Sequence, residues 1–215
     1  MMKWPDYQMT RSFQLYYITD RAQIEPRTLD TCIAGAIAAG VDWLQIREKD
    51  LPARSLLALT KSAVESAHPR GRTCVVVNDR LDVALAAGAH GVHLGARSMP
   101  WDLVRRLAPR ELVVGVSCHS LEEALEAQAA GAHYLLLGPI FATPSKSAYG
   151  PPLGLAMLRD VTAQVSIPVF ALGGITIDRV AACRENGAAG IAGIRIFQDC
   201  DSVEELVRIV REGAV

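Results

Sequence analysis

Eight short apolar runs, each followed by a longer amphipathic stretch, dominate this chain. The runs are LYYITD (15–20), DWLQIRE (42–48), TCVVVND (73–79), GVHLG (91–95), LVVGVSC (112–118), YLLLGPI (134–140), PVFALGG (168–174) and GIAGIRI (190–196). Each has strand length. Most are continuously apolar, which suits parallel strands covered on both faces. Helices are predicted between them. TLDTCIAGAIAAG sets Ile33, Ile37 and Ala38 on one stripe. SLEEALEAQAAG opens on Ser120 as N-cap with Glu123 three residues on, a capping box, and SVEELVRIV repeats the device with Ser202 and Glu205. The pattern predicts an α/β fold, a single (β/α)8 TIM barrel over residues 14–215. A doubly wound open sheet is the alternative, because counting strands does not show closure. A recurring phrase favours closure: AAGVDWLQI, AAGAHGVHL, AAGAHYLLL and NGAAGIAGI. Each places a glycine (Gly40, Gly88, Gly131, Gly187) where a helix ends, the place for a positive-φ residue. The phrase returns once per two βα units, as rotational repetition requires.

The length of 215 residues fits one such barrel, for which about 200 is near the lower limit. A net charge of −1 gives no electrostatic reason to expect nucleic acid or an anionic membrane as partner. No apolar run approaches the roughly 20 residues that span a bilayer. Residues 1–13, MMKWPDYQMTRSF, have neither the apolar core nor the cleavage site of a signal peptide and read as an N-terminal extension. The five cysteines are odd in number and none has CxxC spacing, so they read as small buried side chains in a reducing compartment. The expected location is cytoplasmic.

In such a barrel the active site lies at the C-terminal ends of the strands. Gln45, Arg47 and Lys49 alternate at the end of strand 2, and a straight strand would aim all three the same way. Arg and Lys there offer a fork and a point charge to phosphate oxygens. Asn78 and Asp79 suit a hard cation such as Mg²⁺, a polar ring, or simply a turn. After strand 6, Thr143, Ser145 and Lys146 offer two hydroxyls and a cation in a Pro- and Gly-rich loop fit to cover a phosphate. Gly173 and Gly174, with Arg195 after strand 8, match the common barrel phosphate site. His119, beside Ser117, is placed for general acid or base work. His93 lies within a strand and is expected in the core. His68, His90 and His133 are expected at the surface.

YYITD, QIREKD, NDR, GVHLG, GVSCHS, GPIFATPSK and PVFALGGI together resemble the thiamin phosphate synthase and TenI family, from about residue 14 to the C-terminus. The resemblance implies thiamine biosynthesis: a transferase joins an aminopyrimidine, carried as its pyrophosphate, to thiazole phosphate. Ionisation of the C–O bond leaves a pyrimidine cation that the thiazole nitrogen captures. It implies a pyrophosphate grip by Gln45, Arg47, Lys49, Lys146, Thr143 and Ser145, with Asn78 on the pyrophosphate or pyrimidine. It implies Asp79 as a Mg²⁺ ligand, Ser117 near the substrates, and Gly173 and Gly174 at the thiazole phosphate. Two departures stand out. Ser98 replaces the Asp of the family's GQxD segment, a second Mg²⁺ ligand. GIRIF with Arg195 replaces a segment whose serine binds the thiazole phosphate. These raise the TenI alternative, a thiazole tautomerase using His119, and a non-catalytic sensor of a thiamin precursor. Family members are often assemblies, so a homo-oligomer is among the expected partners, beside the small phosphorylated heterocycles.

Overall fold

The computed structural model of the protein describes residues 13–24, 27–68, 72–143 and 150–213. Eight parallel strands close into a barrel in sequence order. They are β1 (Gln14–Ile18), β2 (Trp43–Ile46), β3 (Cys74–Asn78), β4 (Gly91–Leu94), β5 (Val113–Cys118), β6 (Tyr134–Leu137), β7 (Val169–Leu172) and β8 (Gly190–Gly193). β8 returns beside β1, with Gln14 opposite Gly190 and Tyr17 opposite Gly193, which rules out the open sheet. The helices are α1 (Leu29–Ala39), α2 (Ala53–Ala67), α3 (Leu81–Ala87), α4 (Trp101–Leu107), α5 (Leu121–Ala129), α6 (Gly154–Gln164), α7 (Val180–Glu185), α8 (Arg195–Gln198) and α9 (Val203–Glu212). The expected extension lies outside the described residues except for Phe13, whose ring sits 4.7 Å from the Arg184 guanidinium.

Both strand faces are buried, which is why the runs do not alternate with polar residues. One face, with Leu15, Leu44, Val75, Val77, Leu135 and Ile191, packs against the helices. The other fills the barrel with Tyr16, Trp43, Val76, Val113, Tyr134, Leu136 and Phe170. Four aromatic rings plug the N-terminal half: Trp43 lies 4.9 Å from Tyr134 and 5.7 Å from Tyr16, and Tyr16 lies 5.4 Å from Phe170. Such a packed floor leaves the chemistry to the opposite end.

The recurring phrase has a structural meaning. Gly40, Gly88, Gly131 and Gly187 all have positive φ, from 67° to 88°, as expected. Two residues after three of these glycines, a side chain accepts a backbone N–H from the preceding strand. Asp42 accepts from Leu15, His90 Nδ1 from Val75, and His133 Nδ1 from Val114, at 2.8, 3.0 and 3.0 Å. His90 and His133 are therefore half-buried ties and not the surface residues expected, and burial lowers the pKa of both.

Other local expectations are adjusted. The buried stripe of α1 is Ile33, Ala36 and Ile37, while Ala38 is exposed. At 3.6 residues per turn, positions i, i+3 and i+4 share a face and i+5 does not. Ser120 caps α5 by accepting from Glu123 N at 3.1 Å, but the Glu123 carboxylate reaches one residue further back, to His119 N at 2.6 Å. Ser202 caps α9, whereas Glu205 pairs with Arg208 at 2.6 Å. The last apolar run stops being a strand at Gly193, and Arg195 opens α8 instead of ending β8.

Candidate active site

Register places one polar layer above the aromatic floor. Residues directly opposite in neighbouring strands share a face. Gln45 is opposite Ile18, Asn78 is opposite His93, and Ser117 is opposite Leu136. All of these continue the inward face that carries Tyr16, Trp43 and Tyr134. The mouth of the barrel is thus rimmed by Gln45, Asn78, His93 and Ser117.

Gln45 is 1% exposed, and its Nε2 donates to Asn78 Oδ1 at 3.1 Å. Its Oε1 is buried with no hydrogen-bond partner among the described residues. A buried acceptor left open at a site mouth favours an incoming N–H. That refines the expected role of Gln45, since an anion would ask for a donor. Arg47 follows the strand, is half-buried, and lies close enough for its charge to disfavour protonation of His93. Lys49 departs from the expected alternation. β2 ends at Ile46, so Lys49 sits in the following turn and is exposed. The neighbouring acids are engaged by Arg21: its two Nη atoms meet Asp50 at 2.7 Å each, and its backbone N–H donates to the buried Glu48. Burial raises the Glu48 pKa.

Asp79 is exposed at the tip of β3 with φ of 66°, the left-handed region. Its N–H donates to the His93 carbonyl at 2.8 Å, which ties this conformation to β4. Ser98 has its hydroxyl engaged by the backbone. Its Oγ accepts from Gly95 N at 2.8 Å and closes the turn after β4. Among the described residues no group of three or more His, Cys, Asp or Glu is placed to hold a metal. One carboxylate can still serve Mg²⁺ when substrate phosphates supply further oxygens, so Asp79 fits that use.

Ser117 Oγ lies 2.8 Å from His93 Nε2. His93 is buried, and burial, with Arg47 as the second cause, lowers its pKa to about 3. The residue expected merely to pack in the core thus holds a site hydroxyl. Counting every second residue along β4 and β5 would have found the pair. His119 is exposed, and its Nδ1 lies 2.5 Å from the Gly138 carbonyl. A carbonyl only accepts, so Nδ1 carries a hydrogen, and in the neutral ring Nε2 is then the nitrogen with the lone pair. Sequence reasoning missed Gly138 as the group that orients it. A cleft of about 340 Å³ reaches Ser117 from outside the barrel: Trp101, Val116, Cys118, Glu126, Ala127 and Ala130 line it, so it runs between α4 and α5 and not over the mouth.

On the far side, Gly173 and Gly174 have φ of 93° and 64°. A Cβ on Gly173 would lie 2.7 Å from Pro139 Cβ, and one on Gly174 would lie 2.6 Å from the Ala142 carbonyl oxygen. Phe141 N donates to the Gly173 carbonyl at 3.1 Å, and Arg179 Nη1 to the Gly174 carbonyl at 2.6 Å. The carbonyls are turned into the fold, so the N–H edge is the one this turn can present to an anion. Arg195 Nε donates to Gln23 at 3.3 Å beside the same end of the barrel. Thr143 is half-buried at the end of the described β6 loop, and Ser145 and Lys146 lie outside the described residues. No helix among the described residues is long and apolar enough to cross a membrane.

Comparison with known proteins agrees with this architecture. Residues 15–197 match the family model described as thiamine monophosphate synthase. A relative from Geobacter sulfurreducens is 47% identical over 193 residues, 89% of this chain and 90% of its own length. The thiamine-phosphate synthase of Methanoculleus marisnigri is 42% identical over 200 residues, 93% of this chain and 94% of its own. The solved structure of a thiamine phosphate pyrophosphorylase from Pyrococcus furiosus is 34% identical, with a TM-score of 0.85 over 95% of this chain and 98% of that one. The chain belongs to the thiamine monophosphate synthase family, transferases of thiamine biosynthesis.

Proposed function

We propose that this protein joins hydroxymethylpyrimidine pyrophosphate to thiazole phosphate, forming thiamin phosphate and releasing pyrophosphate. The observation that carries the reading is the open, buried Gln45 Oε1 beside Asn78, with Arg47 two residues further along the chain. An acceptor for a ring amine next to an anion-binding fork suits a pyrimidine bearing a pyrophosphate. Isomerisation of thiazole phosphate alone has little use for it.

The reaction places negative charge on the departing pyrophosphate as the C–O bond ionises. Catalysis is then mainly the stabilisation of that charge by groups already aimed at it. Arg47 and Lys49 supply cations, Ser117 a hydroxyl, and Lys146 with the Thr143 and Ser145 hydroxyls would approach from the β6 loop. Gln45 and Asn78 orient the pyrimidine. The Gly173–Gly174 turn, with Arg195, takes the thiazole phosphate and sets the ring nitrogen toward the developing cation. Mg²⁺ would be held by Asp79 with substrate oxygens and supplies charge neutralisation of the pyrophosphate. The five cysteines carry no disulfide, which supports a cytoplasmic setting.

The test is thiamin phosphate formation from the two substrates, with Mg²⁺ or with EDTA, read as thiochrome fluorescence. Mg²⁺-dependent product is expected. No product in either condition, from substrates that a control synthase converts, would sink the reading. A second reading rests on His119, whose Nε2 lone pair could move a proton on the non-aromatic thiazole tautomer. Aromatisation of that tautomer, lost in His119→Gln, would establish it. Ligand binding without either turnover would leave the sensor.

A further inference from the structure

Ser117 is the outer end of a chain of hydrogen bonds that runs down into the barrel. Ser117 Oγ lies 2.8 Å from His93 Nε2, His93 Nδ1 lies 3.2 Å from the Tyr134 hydroxyl, and that hydroxyl lies 2.8 Å from the Tyr16 hydroxyl. Tyr16 and Tyr134 are fully buried and His93 nearly so. Gly115, opposite both His93 and Tyr134, keeps the path open: a Cβ there would overlap the Tyr134 ring.

The direction of the chain follows from counting hydrogens. A neutral imidazole brings one N–H and each hydroxyl one O–H, four hydrogens for three links. The Tyr16 hydroxyl has a single partner among the described residues, the Tyr134 hydroxyl. If Ser117 donated to His93, the ring hydrogen would sit on Nδ1. A phenol hydrogen of Tyr134 or Tyr16 would then be left inside the core with no acceptor. Leaving a buried donor unmatched carries the full cost of its desolvation. Only one order satisfies every buried hydrogen: Tyr16 donates to Tyr134, Tyr134 donates to His93 Nδ1, and His93 Nε2–H donates to Ser117. The leftover hydrogen is then that of Ser117, the half-buried member at the mouth. The charge of Arg47 and the burial of the ring both keep His93 neutral.

We propose that His93 is a positioning residue whose Nε2–H occupies Ser117 Oγ as acceptor, so that the Ser117 hydroxyl is held as a donor aimed at an anionic substrate oxygen in the barrel mouth. For turnover the inference rests on the synthase reading, where that oxygen belongs to the departing pyrophosphate. The hydrogen-bond direction stands apart from it. A fixed donor at the mouth needs no reorientation as charge develops, which is where such donors have their effect.

Two measurements decide it. Long-range ¹H–¹⁵N NMR of the ¹⁵N-histidine protein, with His93 assigned by the loss of its signals in His93→Gln, reads the tautomer without substrate. The Nε2–H form is expected, and an Nδ1–H form would overturn the proposal even if the protein proved inactive as a synthase. Tyr134→Phe, which keeps the ring, removes the donor to Nδ1 and should move the Nδ1 resonance toward that of an unbonded ring nitrogen while the hydrogen stays on Nε2; an unchanged Nδ1 shift there counts against the chain. In turnover, His93→Phe is expected to lower kcat by about 10- to 100-fold with KM within about threefold. His93→Gln, which puts an amide N–H near the Nε2 position, should restore kcat to within about fivefold of the wild type. Equal kcat in folded His93→Phe and wild type would refute the positioning role. Loss in His93→Phe without rescue by His93→Gln would reduce His93 to a packing residue.

Discussion

Asp79 is the sharpest place to separate stability from function, because its backbone favours glycine while its side chain is the carboxylate proposed to hold Mg²⁺. It is the one non-glycine residue with positive φ among the described residues, at 66°. The left-handed region costs an L-residue about 1–2 kcal/mol, less for Asp, whose short polar side chain can bond locally. Asp79→Ala keeps the penalty and loses that help. Asp79→Gly removes the penalty, but returns about 0.4–1 kcal/mol to the unfolded chain as conformational freedom. The glycine variant should therefore be more stable than the alanine variant by about 1 kcal/mol. For a chain of this size that is about 2–4 °C in Tm. Both variants should lose Mg²⁺-dependent turnover equally, because neither carries a carboxylate. Calorimetry and a Mg²⁺ titration of activity on the same preparations read the two effects. An alanine variant as stable as the glycine variant would refute the strain argument. An unchanged Mg²⁺ dependence in both would refute the ligand role.

Other outcomes follow from the same geometry. Gly173→Ala meets Pro139 at 2.7 Å at a φ of 93°, so it should cost about 2–4 kcal/mol in urea unfolding and weaken thiazole phosphate binding. Retained affinity for that phosphate would take the glycine turn out of the site. His93 stays neutral in the folded protein down to about pH 3, while the unfolded chain takes up a proton near the ordinary value of 6.5. Its folded pKa is depressed, so the unfolded state binds more protons in that window and stability falls as pH drops from about 6.5 toward 3. His93→Gln should flatten the slope by up to about 1.4 kcal/mol per pH unit between about pH 6 and 4, measured by denaturant unfolding at each pH.

The barrel was legible because it is written in periodicity. Strand length, apolar faces and a glycine after each of four helices are local signals, and closure shows only when Gln14 is found beside Gly190. The candidate site was legible as a set of strand tips, because Gln45, Asn78 and Ser117 lie at or near the C-terminal ends of β2, β3 and β5, with Arg47 just past β2. What the sequence left out is partnership. His93 looks like any histidine in an apolar strand, and its link to Ser117 appears only when β4 and β5 are placed in register. His90 and His133 looked like polar residues beside helix ends, yet each serves the backbone of a strand far back in the chain. Lys49 failed a pattern argument because a strand must remain a strand for alternation to hold, and β2 ends at Ile46, before Lys49 is reached.

Ser98 offers the remaining lever on the metal. In the family pattern an Asp stands there, and a second carboxylate would raise the affinity for Mg²⁺ by adding charge to the site. In this chain the Ser98 hydroxyl instead accepts the Gly95 N–H at 2.8 Å, a task that an aspartate oxygen performs equally well in a turn. Ser98→Asp should therefore preserve the loop and free its second carboxylate oxygen for the mouth. The half-saturating Mg²⁺ concentration for thiamin phosphate formation should fall by about tenfold, roughly 1.4 kcal/mol of added binding. With one carboxylate, neutralising the pyrophosphate falls more heavily on Arg47 and Lys49. Arg47→Gln should therefore cost more turnover in the wild-type background than in the Ser98→Asp background. Equal losses in the two backgrounds, or an unshifted Mg²⁺ midpoint in a folded and active Ser98→Asp protein, would show that the β4 turn does not face the metal.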